Sequence, residues 1–280
     1  MRVLLTGSGG GLGTAFAAAA GAEHEVIAYP RTRLAVEDRL GVHEAIAAAR
    51  PDVVLNAAAM TSVDGCEVDP EAAYRANAFG ARNVALAAAA AGALLIHVST
   101  DYVFDGRKGA AYHEFDEPNP ISVYGHSKLG GEREVTAHAA DHLIVRTSWV
   151  FGSGRDYLSG ALGRLARGES APAMGDLVGT PTHVRHLAER LIPLVDAGYR
   201  GLVHLGGPEA TTWHDVLLRA ARDHSLPGEV VEQKAGDLDR PAARPPSSPL
   251  TSLVLRGDIP SMPPLAEAVR EIVEGLDGGR

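Results

Sequence analysis

A chain of 280 residues, 45% hydrophobic and 22% charged, carries enough apolar surface for a full core, in one large domain or in one domain with a smaller lobe. Its formal charge of -9 and the absence of a long Lys/Arg run argue against nucleic acid as a partner, while an anionic small molecule stays open if positive charge is local. The single cysteine, Cys66, excludes an internal disulfide and a thiolate zinc site and reads as a small buried residue. No apolar run is long enough to cross a bilayer and no signal-like core follows "MRVLLTGSGG", so the expectation is a cytoplasmic protein that does not engage membranes.

In chain order, "RVLLTG" (2–7), "HEVIAY" (24–29), "DVVLNAAA" (52–59), "LLIHVST" (94–100) and "HLIVRTS" (142–148) are short, β-branched or leucine-rich, and close in small or polar residues, which predicts buried strands. Alanine-rich stretches at 14–22, 43–50 and 71–92 separate them and are long enough for crossover helices. Alternation of this kind predicts an α/β fold: a Rossmann-type, doubly wound parallel sheet covered on both faces. Beyond Phe151 one more helix-then-strand unit, "VRHLAERLIPLVDAG" followed by "GLVHLGG", returns to the first domain. The expected division is residues 1–151 with 183–206 for the dinucleotide-binding domain, and 152–182 with 207–280 for a smaller substrate-binding lobe containing the proline-dense "DRPAARPPSSPL".

The segment "TGSGGGLG" ends the first predicted strand and places Gly7, Gly10 and Gly13 at three-residue intervals before a helix. Glycine lets the chain turn tightly and lets backbone N–H groups approach a pyrophosphate at a helix N-terminus, so the backbone of Gly7, Gly10, Gly11, Leu12 and Gly13 is the expected cradle. Further on, "SVYGHSK" places Tyr124 four residues before Lys128. Taken alone, that spacing decides nothing.

The glycine spacing, the Tyr-x-x-x-Lys pair, Thr100 at the end of the fourth strand and "NAAA" at 56–59 occur in the order found in short-chain dehydrogenases and their extended nucleotide-sugar relatives. With "NAAAMTSVDGCE", "STDYVFDG", "PISVYGHSKLGGE", "RTSWVFG", "GTPT", "TTWHDV" and "RPPSSPL", the chain resembles the dTDP-4-dehydrorhamnose reductase (RmlD-like) family of the extended short-chain dehydrogenase/reductase superfamily over nearly its whole length. The resemblance implies reduction of the 4-keto group of a dTDP-linked 4-keto-6-deoxysugar, with NADPH as the expected cofactor and NADH left open.

Ketone reduction needs a hydride donor, an acid for the alkoxide and a hydrogen bond to the carbonyl. Tyr124 would be the acid. Lys128, on the same helical face, would stabilise phenolate and hold the nicotinamide ribose, and Thr100 would hold the carbonyl. The resemblance further implies Asn56, Ala57, Ala58 and Ala59 beneath the cofactor, and Asp101, Tyr102 and Trp149 against the sugar. Arg244 suits the diphosphate, because a guanidinium fork matches phosphate oxygens.

Departures from the family also inform the reading. Members joined into a dimer through a metal carry a glutamate where this chain has Ala15, which speaks against a metal-bridged form of a homodimer. His183 and His186 lack an evident carboxylate partner in the sequence, so no metal is expected. After the second strand, "AYPRTR" supplies Arg31 and Arg33 in place of a ribose-binding acid, which favours a 2′-phosphate. The competing readings are a nucleotide-sugar epimerase or dehydratase on the same scaffold, and a non-catalytic NADP-binding regulatory subunit. "STDYVF" lacks the acid pair of a dehydratase, and intact Thr100, Tyr124 and Lys128 oppose loss of catalysis.

Overall fold

A computed structural model of the chain describes residues 1–277. Strand β1 (Arg2–Thr6) buries Val3, Leu4 and Leu5 completely. Because successive side chains point to opposite faces, Val3 and Leu5 enter one apolar layer and Leu4 the other. The same alternation recurs in β3 (Val53–Asn56), β4 (Leu94–Thr100) and β5 (His142–Thr147), which explains their near-continuous apolar sequences. β2 (Glu25–Tyr29) lies on the other side of β1.

On one face, α1 (Gly11–Ala20) contributes Phe16. On the opposite face, α2 (Arg39–Ala49) contributes Val42 and Ile46. Asp38 starts α2 by accepting a hydrogen bond from the Gly41 amide, four residues earlier than the alanine run indicates. The predicted helix at 71–92 is instead three pieces. After α3 (Val63–Val68) come α4 (Pro70–Tyr74), a π turn at Arg75–Phe79 and α5 (Gly80–Ala91). The π turn aims the Asn77 side chain at the Met60 backbone, donating to its carbonyl at 3.0 Å and accepting from its amide at 2.8 Å. α6 (Val123–His138) then packs on α5 and the π turn.

Past β5 the chain forms β6 (Val150–Phe151), α7 (Tyr157–Ala166), β7 (Ala171–Met174) and β8 (Thr182–His183). It returns through α8 (Val184–Asp196) to β9 (Gly201–His204), which joins β5 as a sixth parallel strand. α9 (Trp213–Asp223), β10 (Val230–Gln233) and α10 (Leu265–Asp277) complete the elements. Around Leu158, Leu162, Leu217, Val269 and Val273 a separate apolar core forms from α7, α9 and α10, with β7 paired to β10. The last residues of the expected lobe, 278–280, lie outside the described residues.

The main sheet runs β2-β1-β3-β4-β5-β9, all parallel. Connections leave β1 outward to β2 and then cross to β3 on its other side, so loops diverge above the carboxyl ends of β1 and β3 and open a crevice there. No helix among the described residues is long and apolar enough to cross a membrane.

Candidate active site

The glycine segment turns at the mouth of this crevice. Gly7 has φ +73°, and a Cβ on it would come within 2.6 Å of the Ala58 amide nitrogen; one on Gly13 would lie 2.4 Å from the Gly7 carbonyl. The loop is therefore seated against the end of β3 on one side and closed on α1 on the other, and only glycine fits. Gly10 caps α1 without any side-chain hydrogen bond, which leaves first-turn amides of α1 free for an anion. Leu12 turns its side chain into the core. Two neighbours escaped the sequence reading: Ser153 covers Gly11, and Arg155 donates to the Gly9 carbonyl at 3.1 Å. Asp156 shapes that covering loop by accepting from the amides of Gly152 and Ser153.

β3 ends at Asn56 because its side chain captures local partners. Asn56 Oδ1 accepts from Thr6 Oγ1 at 2.7 Å and from the Ala58 amide at 3.3 Å, while its Nδ2 donates to His97 Nδ1 at 3.1 Å. With 1% exposure, the Asn56 side chain serves as a tie between strands, while Ala57 and Ala58 pack against the two apolar layers, one on each side.

At the end of β4, Thr100 accepts from the Tyr102 amide and donates to Asp101 Oδ1, both at 3.2 Å. Ser122 caps α6 by accepting from Gly125, and that glycine lets the helix approach so closely that a Cβ would lie 2.1 Å from the Tyr102 carbonyl. The approach sets Tyr124 beside Thr100 and edge-on to Tyr102, with ring centroids 5.5 Å apart. Burial raises the Tyr124 phenol above its usual range, and the Thr100 hydroxyl beside it draws it partly back. Lys128 lies one turn on, buried, and donates to the Val98 carbonyl at 2.6 Å. In this arrangement the ammonium is anchored to β4 and not to the phenol, and a raised phenol pKa keeps the tyrosine protonated, as an acid must be before ketone reduction.

Burial lowers Lys128 to about 8, and Glu132, one turn further on, opposes the shift. The sign follows directly: Lys128 carries its charge below about pH 8 and loses it above. kcat/KM for the cofactor, which reports the free protein, should accordingly decline as pH rises through about 8, measured between pH 6 and 10. A flat profile through that window would show that the charge on Lys128 is immaterial.

Asp101, expected against the sugar, is enclosed by its own neighbours. Its carboxylate is 1% exposed and accepts from Thr100 and from Ser248, so it joins the "RPPSSPL" segment to Thr100. Burial raises it to about 6 despite those hydroxyls. Arg244 is also engaged already. Its guanidinium forms a two-pronged pair with Asp64, both contacts at 2.6 Å, and so fastens the late loop to α3. Tyr102 lies in the field of Arg244 and also of Arg240, a second cation that the sequence reading passed over.

Trp149 holds φ +47°, uncommon for a large side chain, and stacks on Trp213 at 4.9 Å with 22° between the rings. Gly179 makes space for it, since a Cβ there would lie 2.4 Å from the indole. At the end of β2, Arg31 pairs with Glu37 at 2.7 Å and Arg33 lies over the Tyr29 ring. Glu37 is thus an acid near this loop that "AYPRTR" does not reveal. Cys66 is fully buried and burial raises its thiol to about 11, so it is unreactive. The missing carboxylate beside His183 and His186 comes from Glu271 of α10, whose Oε1 lies 3.7 Å from His186 Nε2.

A hydroxyl, a phenol and an ammonium gathered at the end of β4, across the crevice from a glycine loop, define an oxidoreductase of the short-chain dehydrogenase/reductase class. The family model described as RmlD substrate binding domain matches residues 1–277, and the chain belongs to that family. A dTDP-4-dehydrorhamnose reductase from Mycobacterium tuberculosis is 39% identical over 261 residues, covering 90% of this chain and 85% of that protein. The crystal structure of such a reductase from Clostridium acetobutylicum superposes with a TM-score of 0.93 at 33% identity, over 99% of this chain and 100% of that one. A third, from Bacillus anthracis in complex with NADP, gives a TM-score of 0.93 at 29% identity over 98% of this chain and 99% of that one.

Proposed function

We propose that the chain reduces the 4-keto group of a dTDP-linked 4-keto-6-deoxysugar with NADPH. The observation that carries this reading is the contact of Tyr124 with Thr100, with Lys128 on the next helical turn, in a chain 39% identical to a dTDP-4-dehydrorhamnose reductase. The glycine loop fits a dinucleotide: a side chain at Gly7 or Gly13 would collide with backbone, and the α1 amides are free. Gly7, Gly10, Gly11 and Gly13 would hold the pyrophosphate, with Arg155 adding positive charge beside Gly9. When bound, the nicotinamide supplies a hydride to the ketone carbon. Thr100 would turn its one hydroxyl proton from Asp101 Oδ1 to the carbonyl oxygen, Tyr124 would give that oxygen a proton as the C–O π bond breaks, so that an alcohol forms, and Lys128 would stabilise the phenolate left behind. Tyr102 and the Trp149–Trp213 stack offer flat faces to the hexose. Residues 152–182 and 207–277 would form the substrate lobe, tied to the rest of the chain by Asp64–Arg244 and Asp101–Ser248, with Ile259 of that range packed in the main core.

The Bacillus anthracis relative was crystallised with NADP, and Arg31 and Arg33 give this chain cations with which to receive the 2′-phosphate. Glu37 competes for Arg31, so the preference should be modest. One experiment tests both parts: a dTDP-4-keto-6-deoxyhexose is supplied with NADPH or NADH, to wild type and to a variant carrying Arg31→Ala and Arg33→Ala. Wild type should consume NADPH in equal amount to sugar reduced. The double variant should lose roughly 5- to 20-fold in kcat/KM with NADPH and almost nothing with NADH. Sugar conversion without net NADPH consumption would mean an epimerase or dehydratase; equal losses with both cofactors would remove the phosphate assignment only.

A further inference from the structure

At the start of α8, His183 and His186 stand three residues apart, and α10 brings Glu271 against them. One ligand atom from each lies within 4.8 Å of the other two. Both imidazoles are buried, at 8% and 4% exposure, and His183 Nδ1 has no hydrogen-bond partner. Space for the His183 ring comes from Gly152, at φ +90°, where a Cβ would strike Nε2 at 2.3 Å. A buried ring nitrogen left without a partner is costly and calls for an occupant. Two imidazoles with one carboxylate are a donor set for zinc-like ions, whereas magnesium and calcium take oxygen ligands. We propose that His183, His186 and Glu271 bind a divalent transition-metal ion of the zinc type, which clamps α10 to the N-terminus of α8.

The surroundings suit such an ion. Burial alone would raise Glu271, but Arg185 brings it below its usual range and keeps it ionised. Arg185 is the resident cation: its guanidinium bonds Glu271 and comes within 3.3 Å of His186 Nε2. Its side chain is half exposed and already reaches Glu189 at 3.2 Å, so it has a second carboxylate to keep when the ion takes Glu271. Coordination would join the small core, through Val269 and Val273 of α10, to the main core, through Leu187 and Leu191 of α8.

The test uses the untagged full chain, stripped with chelator and titrated with Zn²⁺ by calorimetry and with Co²⁺ by visible absorption. The expected result is one ion per chain with a dissociation constant below roughly 10 μM, the d–d bands of a low-coordinate Co²⁺ centre, and a raised melting temperature. His186→Gln and Glu271→Gln should each weaken binding at least about 10-fold. Arg185→Gln should tighten it, and a gain of affinity cannot arise from misfolding. Absence of saturable binding, affinity unchanged in both ligand variants, or weaker binding by Arg185→Gln would each overturn the proposal.

Discussion

Tyr124→Phe is expected to lower kcat by roughly 10²- to 10⁴-fold, the usual contribution of a positioned acid, while NADPH affinity stays within about two-fold of wild type. The substitution removes one oxygen and keeps the ring. Its edge contact with Tyr102 survives, and so does the bond from Ser127 Oγ to the Tyr124 backbone carbonyl at 2.8 Å, so α6 should hold its place. Neither the glycine loop nor Lys128 is touched. The loss should therefore appear in the hydride-transfer step, read by single-turnover kinetics, with KM for the sugar little changed. Thr100 cannot replace the phenol, because an alcohol hydroxyl is a far weaker acid. Turnover like that of wild type would show that Tyr124 is only a packed residue facing Thr100.

Sequence reading succeeded where a local rule governs the local outcome. The predicted strands at 94–100 and 142–148 match β4 and β5 to within a residue because their apolar runs enter both layers and stop at small or polar residues. The turn at the glycines and the placement of Tyr124 and Lys128 on one helix are legible for the same reason, since each spacing lies within one tight bend or one helical turn, whereas the chemistry of the pair rests on the resemblance. Reading failed where the partner is remote. Nothing near Arg244 signals that Asp64 occupies its guanidinium, and nothing in "STDYVF" signals that Ser248 closes off Asp101. Alanine-rich composition predicts plain helix through the π turn at Arg75–Phe79, because it does not register that Asn77 bonds both Met60 and Ser127. Glu271, 85 residues beyond His186 in the chain, is brought beside it by α10.

The largest effect on stability is expected from Arg146→Met. Arg146 of β5 and Glu132 of α6 form a buried pair, 3% and 7% exposed at their side chains, with guanidinium bonds of 2.9 Å and 2.7 Å to the two carboxylate oxygens. Ser99 donates to the same carboxylate, and Arg146 lies over the Phe104 ring. Removing the arginine strands a carboxylate in the interior, which costs about 3–5 kcal/mol and, for a chain of this size, on the order of 10 °C in melting temperature. Replacing both partners at once, Glu132→Leu with Arg146→Met, should restore most of that loss, because no charge is then left unpaired. If stability were the pair's only purpose, the double variant would behave as wild type in every assay. It should not, because Glu132 is also the charge that opposes the burial of Lys128. Without it the ammonium deprotonates at lower pH, and the fall in kcat/KM for NADPH should move down from about 8. A double variant as unstable as Arg146→Met would mean that the stranded charge is not the source of the loss. Restored stability with an unmoved pH profile would mean that Glu132 holds the strand and does nothing for Lys128.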